Sequence, residues 1–264
     1  MHTRLLFGSA GALALVLATA GALSLFGGAS NPTAYAGNPI PGEQCKDLPG
    51  YQDLKAALID AREESNGGFD LDMWGAIVNR DGIVCKVAFT GENRGDEWPG
   101  SRIIAAQKAN TANAFSLPGL ALSTANLYTA VQPGGSLFGL QESNPVDTGN
   151  AYAGPSSNYG QANDPLTGKK IGGVNVFGGG LALYNASGEI LGAVGVSGDS
   201  SCADHAIAWR TRHALGLDYV PAGVSGDPTR PDNIVYTAGD PWAHPHCLDA
   251  LTEDGIAAAL PTIP

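Results

Sequence analysis

The sequence predicts an α+β fold in which helices cover an antiparallel β-sheet. Three observations support this class. Two pairs of short apolar strands are each joined by a tight turn, amphipathic stretches flank both pairs, and repeated strand–helix–strand crossovers are missing. A doubly wound nucleotide-binding fold requires such crossovers, so the sequence does not predict that class.

The first half of the chain contains a predicted helix, a hairpin and a second helix. Apolar residues recur at helical spacing over residues 48–65. Residues 73–79 and 83–90 are predicted strands around a tight turn. After a charged loop, the second helix runs from residue 101 to about residue 115.

The second half repeats the hairpin–helix order. Residues 181–184 and 190–196 are predicted strands, and a third helix covers residues 201–215. Between the halves, residues 116–170 form a long, mostly irregular insertion rich in Gly, Pro, Asn and Ser. A loop of this length is usually functional or part of an interface, and a variable surface decoration is the alternative. The C-terminal tail, residues 218–264, is punctuated by Pro and Gly.

The N-terminal segment has the pattern of a secretory signal peptide. Arg4 precedes an apolar, uncharged run, and Ala34-Tyr35-Ala36 supplies the small-x-small pattern that signal peptidase recognises. We expect cleavage after Ala36, which leaves residues 37–264 as a single periplasmic or secreted domain without a stable membrane span. An uncleaved anchor is the alternative, because the apolar run is long enough to cross a bilayer.

Net charge and cysteine content limit the classes of function and the covalent structure that we expect. The net charge is −11, and no basic stripe is present, which argues against nucleic-acid binding. Four cysteines in an exported chain suggest two disulfides. We predict that Cys45 pairs with Cys85 and Cys202 with Cys247, because each pair joins a helix to the segment that should pack along it.

The strongest local feature is a glycine-rich turn, residues 195–198, between a buried strand and the third helix. Free N–H groups at such a helix start suit a carboxylate or phosphate. The alternative is an ordinary cap, in which Ser200, Ser201 or Asp204 serves the helix itself. Ser197 does not indicate a serine hydrolase, since the Gly-x-Ser-x-Gly pattern lacks its final glycine.

Histidines and a charged loop supply further candidates. His205 follows the glycine turn and is the best-placed metal ligand or acid–base group, with a capping or solvated histidine as the alternative. His244 and His246 could hold a metal with Cys247, unless that cysteine forms a disulfide. The loop before the second helix, which contains Arg94, Asp96, Glu97 and Trp98, is either solvated or a polar gate to a ligand cleft.

Two stretches resemble a known family. One joins Arg94-Gly95-Asp96 to Lys108-Ala109-Asn110-Thr111-Ala112, and the other joins Gly172-Gly173 to residues 192–198 and Asp204. Over about residues 48–216, excluding the insertion, the chain resembles the GlcG/HbpS-like family of haem-degrading, DUF336-type domains. The long insertion, the four cysteines and the export signal depart from the simple family pattern.

The resemblance implies a profilin-like fold with α/β/α layers and assembly into a homo-oligomer. It also implies haem as ligand, with a corrinoid or a small metabolite as alternatives. We expect the ligand where the glycine turn meets the second helix, close to subunit contacts. The predicted ligand-binding residues are Arg94, Asp96, Lys108, Thr111, Gly195, Ser197, Gly198, Asp204 and His205.

The expected chemistry of this site follows from those residue types. Lys108 and the free N–H groups would meet haem propionates, and the glycines would admit a flat ligand. The alternative is that Lys108 is solvated and Thr111 merely packs.

The predicted function is an exported, non-catalytic binding or sensing protein for haem or a related tetrapyrrole. The first alternative is an enzyme that degrades haem or acts on a small metabolite, with turnover that depends on Asp204 or His205. The second is an oligomeric interaction protein that docks a periplasmic redox partner through the insertion.

Overall fold

Four antiparallel strands form the centre of the fold. A computed structural model describes residues 45–264, so the predicted signal peptide lies outside the described residues. The strands are β1 (Trp74–Asn79), β2 (Val84–Phe89), β3 (Gly180–Tyr184) and β4 (Ile190–Ser197), in the order β2-β1-β4-β3. Both predicted hairpins are present, and they join along β1 and β4.

Helices cover both faces of the sheet. They are α1 (Tyr51–Glu63) and α4 (Ser201–Ala214) on one face and α2 (Ser101–Phe115) on the other. Because successive side chains of a strand point to opposite faces, Ile77 packs in the first layer and Ala76 in the second. The predicted α+β fold with α/β/α layers is confirmed.

Helix α2 approaches the sheet through small residues. A methyl group added to Gly195 of β4 would lie 1.9 Å from the carbonyl oxygen of Ala105 and 2.5 Å from the backbone nitrogen of Ala109. Only glycine therefore permits this contact. The sequence analysis assigned Gly195 to ligand approach, whereas in the structure it accommodates the protein's own helix.

Helix α1 begins three residues later than predicted. Pro49 and Gly50 precede it, and the side chain of Asp53 accepts a hydrogen bond from the backbone N–H of Gly50 at 2.9 Å. A further helix, α5 (Ala250–Ala259), lies near the C-terminus.

The insertion is mostly irregular, as predicted, but it packs into the core. It contains three short 3-10 helices and the one-turn helix α3 (Thr148–Ala151). Arg102 of α2 donates to the carboxylate of Asp164 and to the carbonyl of Ala151, each at 2.9 Å, and these groups are buried. The insertion is therefore anchored to α2 at these residues, whereas residues 133–150 are mostly exposed.

The C-terminal tail is fixed to α4 by buried polar contacts. Arg212 of α4 forms a bidentate ion pair with Asp232, with N–O distances of 2.6 and 2.9 Å. Trp209 donates to the carbonyl of Pro261 at 2.9 Å. The tail therefore covers the outer side of α4.

Two disulfides join segments distant in sequence. Cys45 pairs with Cys85 and Cys202 with Cys247, the pairing that the sequence analysis predicted. Among the residues described, no helix has the length and apolar character required to span a membrane.

Candidate functional site

The glycine turn and α2 meet at a buried ion pair. Lys108 Nζ lies 2.6 Å from Asp204 Oδ2 and donates to the carbonyl of Val196 at 3.1 Å. Asp204 Oδ1 accepts the backbone N–H groups of Gly198 and Asp199 at 3.1 and 2.9 Å. The structure thus brings together three of the predicted site residues, Lys108, Gly198 and Asp204, and their polar groups contact one another.

Burial shifts the pKa values of both members of this ion pair. Burial raises the pKa of Asp204 to about 6, although Lys108 and the backbone N–H groups oppose that shift. Burial also lowers the pKa of Lys108, which Asp204 opposes. The carboxylate of Asp204 lies where the sequence analysis expected a ligand carboxylate. A ligand acid can therefore reach Lys108 only by displacing Asp204.

Thr111 is also engaged within the protein. Its hydroxyl donates to the carbonyl of Gln107 at 2.8 Å and accepts the backbone N–H of Asn175 at 2.9 Å. Lys108 is fully buried, so the alternative of a solvated lysine is wrong.

Backbone atoms of a neighbouring segment occupy the space beside the glycine turn. A methyl group on Gly198 would lie 2.4 Å from the carbonyl oxygen of Asp72, and Ser197 is buried where it pairs with Trp74. Ser200 caps α4 by accepting the backbone N–H of Ala203. The helix start is thus satisfied by the protein's own groups in this structure.

His205 faces the tail. It is fully buried, with Nε2 at 3.2 Å from Asn233 Oδ1 and 3.1 Å from the backbone nitrogen of Ile234. Burial lowers its pKa to about 3, so the imidazole is neutral at physiological pH. Its Nδ1 is buried without a hydrogen-bond partner in the described part of the chain. A metal at His205 would therefore have to reach Nδ1.

Arg94 and Asp96 lie in an exposed loop. Asp96 accepts the backbone N–H of Asn93 at 2.8 Å. The neighbouring Glu97, by contrast, is buried and accepts the backbone N–H of Gly91 at 2.8 Å. Burial raises the pKa of Glu97 to about 7. Nothing in the sequence distinguishes this residue from the solvated charges beside it.

Two cavities open at the surface of the protein. One, of about 620 Å³, lies between the start of α1 and the end of α4. The other, of about 440 Å³, is formed by the tail and lined in part by Tyr236, His246 and Asp254. There His246 Nε2 lies 2.9 Å from Asp254 Oδ1, and its ring stacks on Tyr236 at 4.2 Å between centroids.

The three tail residues predicted as possible metal ligands have separate partners in the structure. Cys247 is bonded to Cys202, whereas His246 points to Asp254 and His244 lies beside the disulfide.

Comparison of the sequence with models of known protein families identifies one match. The sequence model of the haem degrading protein HbpS-like family matches residues 52–212. A search of the curated proteins found no match.

Three solved structures are similar to this chain. The haem complex of PduOC is 25% identical with a TM-score of 0.43, over 62% of this chain and 89% of that one. Protein ORFY of Klebsiella pneumoniae is 24% identical with a TM-score of 0.42, over 62% and 86%. A double mutant of HbpS from Streptomyces reticuli is 17% identical with a TM-score of 0.42, over 74% and 99%. Because the family match spans more than half of its length, the chain belongs to the HbpS-like family.

Proposed function

We propose that this chain is an exported binding protein for haem or a related tetrapyrrole. The observation that carries the proposal is its membership of the haem degrading protein HbpS-like family over residues 52–212. The N-terminal signal pattern and the two disulfides support a periplasmic or secreted location, since disulfides persist in oxidising compartments.

The first proposed location of the ligand is the Lys108–Asp204 pair. One cation and two backbone N–H groups already bind a carboxylate there, so the same groups suit a propionate. Because the pair is buried, ligand entry would have to displace Asp204 and open the contact between α2 and the glycine turn. Arg94 would then act at a subunit contact in a homo-oligomer.

The second location is the tail cavity beside His246. This imidazole is partly exposed and hydrogen-bonded to Asp254, an arrangement that orients a histidine toward a metal centre. His205 lacks that access because it is fully buried.

Hemin titration of the purified protein, followed by its Soret band, tests binding. We expect a saturable shift at micromolar protein, and its absence would refute haem as ligand. A parallel titration with cobalamin tests the corrinoid alternative.

Variants then locate the site. Loss of affinity in Lys108→Met with no change in His246→Gln supports the buried location, and the reverse supports the tail cavity. His213→Gln, an exposed histidine on α4, is the matched control.

The second candidate function is haem degradation, which the family's description favours. The carboxylate of Asp204 and Nε2 of His205 contact other parts of the protein, which supports binding over turnover. Incubation of the hemin complex with peroxide tests this. Loss of the Soret band faster than for free hemin, and slower in His205→Gln, would establish catalysis instead.

A third candidate is an oligomeric protein that docks a redox partner through the insertion. Its exposed apolar side chains Leu137 and Phe138 support this role. The native mass of the wild type, compared with Phe138→Ser, tests whether these side chains join protein to protein.

A further inference from the structure

Two cysteines and a histidine converge at the start of α4. The ligating atoms of Cys202, His244 and Cys247 all lie within 4.8 Å of one another, and Cys202 Sγ is 4.0 Å from His244 Nδ1. Two thiolates and one imidazole form a set that zinc binds tetrahedrally, with the fourth position left open. In this structure the two sulfurs are joined as a disulfide.

Contacts other than the disulfide also position these groups. Cys202 lies in the first turn of α4. The backbone N–H groups of Cys247 and Leu248 donate to the buried carboxylate of Glu253 at 2.9 and 2.7 Å. These contacts do not involve the S–S bond, so they can hold Cys247 near Cys202 when that bond is reduced.

His244 is also positioned by hydrogen bonds and ring packing. Its backbone N–H donates to the carbonyl of Val235 at 2.8 Å, and its ring packs on Tyr128 at 4.8 Å between centroids. Its Nε2 lies 3.1 Å from the hydroxyl of Ser201, which can orient the ring. Its Nδ1 donates to the carbonyl of Pro245 at 2.7 Å, a bond that a metal ion would replace.

The surroundings of Cys247 favour a thiolate. Its sulfur accepts the backbone N–H of Cys202 at 3.1 Å and lies 3.4 Å from the hydroxyl of Ser201. Both groups belong to the N-terminus of α4, whose dipole stabilises negative charge. Cys247 is partly exposed, so an external thiol can attack its sulfur, whereas Cys202 is buried.

We propose that Cys202, His244 and Cys247 form a redox-gated site for a soft transition-metal ion, closed by the disulfide and opened by a dithiol reductant. A dithiol thiolate attacks Cys247 Sγ, the S–S bond breaks, and Cys202 leaves as a thiolate. The second thiol of the reductant closes its own disulfide and releases Cys247. Two electrons thus pass from the dithiol to the protein. Metal binding then displaces the remaining thiol protons into solvent.

This site lies partly outside the family match. Residues 52–212 include Cys202, but His244 and Cys247 belong to the tail. The inference is therefore independent of tetrapyrrole binding, and either can fail alone.

Cobalt(II) titration of the reduced full chain under anaerobic conditions tests the proposal. We expect thiolate-to-cobalt charge-transfer bands with saturation at one ion per chain, displacement by Zn²⁺, and no bands in the oxidised chain. His244→Asn should weaken cobalt binding by about tenfold or more, as ligand-set changes typically do. Cys202→Ser and Cys247→Ser should abolish the charge-transfer bands.

Two controls keep the test decisive. His213→Asn removes an exposed imidazole of α4 outside the proposed set and should leave the affinity unchanged. Cys45→Ala with Cys85→Ala removes the other thiols and should leave the bands intact. His244→Asn retains both disulfides, so its folding can be verified by circular dichroism before reduction.

Three results would overturn the proposal. They are a folded, reduced wild type that gives no bands at micromolar cobalt, bands that persist in Cys202→Ser, and unfolding of the wild type on reduction. The last would show that Glu253 and its neighbours do not hold the thiols in place.

Discussion

The first turn of α4 contributes to two clusters that differ in their access to solvent. In the Lys108–Asp204 cluster, the ammonium and the carboxylate contact each other and nearby backbone groups away from water. In the Cys202–His244–Cys247 cluster, Cys247 is partly exposed, and the ligand atoms lie within 4.8 Å of one another. A fully buried ion pair stabilises the fold, whereas a cluster that reaches the surface remains accessible to reagents.

The largest expected effect comes from breaking the buried ion pair. Lys108→Met should lower the free energy of unfolding by about 3–5 kcal/mol, because it leaves Asp204 buried without its cation. Urea unfolding at pH 7 measures the change. Adding Asp204→Asn to Lys108→Met should restore part of the stability. A loss below about 1 kcal/mol would show that the pair is open to solvent.

Gly195→Ala tests the close contact of α2 with the sheet. The added methyl group would collide with the carbonyl of Ala105, so we expect a loss of about 3 kcal/mol. Gly119→Ala, in the insertion, has open space around the added methyl group and is the matched control. Equal thermal midpoints for the two variants would contradict the interpretation of Gly195 as a packing residue.

His205 should make stability depend on pH. Its pKa is about 3 in the folded chain, below the ordinary value of 6.5, so between these values only the unfolded chain binds the proton. Stability should therefore be retained above pH 6.5 and fall as the pH decreases toward 3. At pH 4.5 the loss should be about 2–3 kcal/mol.

Other groups titrate in the same window, so the comparison requires a variant. Asp204 and Glu97 have raised pKa values and act in the opposite direction. Urea unfolding of wild type and His205→Gln from pH 7 to pH 4.5 isolates the histidine. Parallel curves would show that His205 is not the group that titrates.

The smallest effect is expected in the tail cavity. His246→Gln should change the free energy of unfolding by less than about 0.5 kcal/mol, because its pair with Asp254 is largely exposed. Thermal unfolding with and without hemin separates the two roles. A large loss of stability without hemin would place His246 among the structural residues.

Local sequence signals placed the regular elements well. Strand alternation and turn residues located both hairpins, and α2 has the predicted bounds. The start of α1 differed because Pro49 and Gly50 delay the helix, an effect that periodicity alone does not register. The segments expected to pack along the first and third helices also predicted the observed cysteine pairing.

The candidate site was predicted less completely. The sequence analysis placed Lys108 near Asp204, but it did not foresee that they bind each other. Whether two opposite charges meet depends on the rotation of α2 against the sheet. The burial of Glu97 and Asp164 gave no signal in the sequence, since it depends on how the chain packs around them.

By itself, the sequence determined the secondary structure, because this follows from short-range periodicity and turn chemistry. Motif spacing determined the family resemblance, which implied the layer order. Only the tertiary structure decided which polar groups satisfy one another. It directed Asp204 to Lys108, His205 to the tail and His244 to the disulfide. The physical reason is that burial removes water from a charged or polar group, so the group must bind whichever partner the fold brings near.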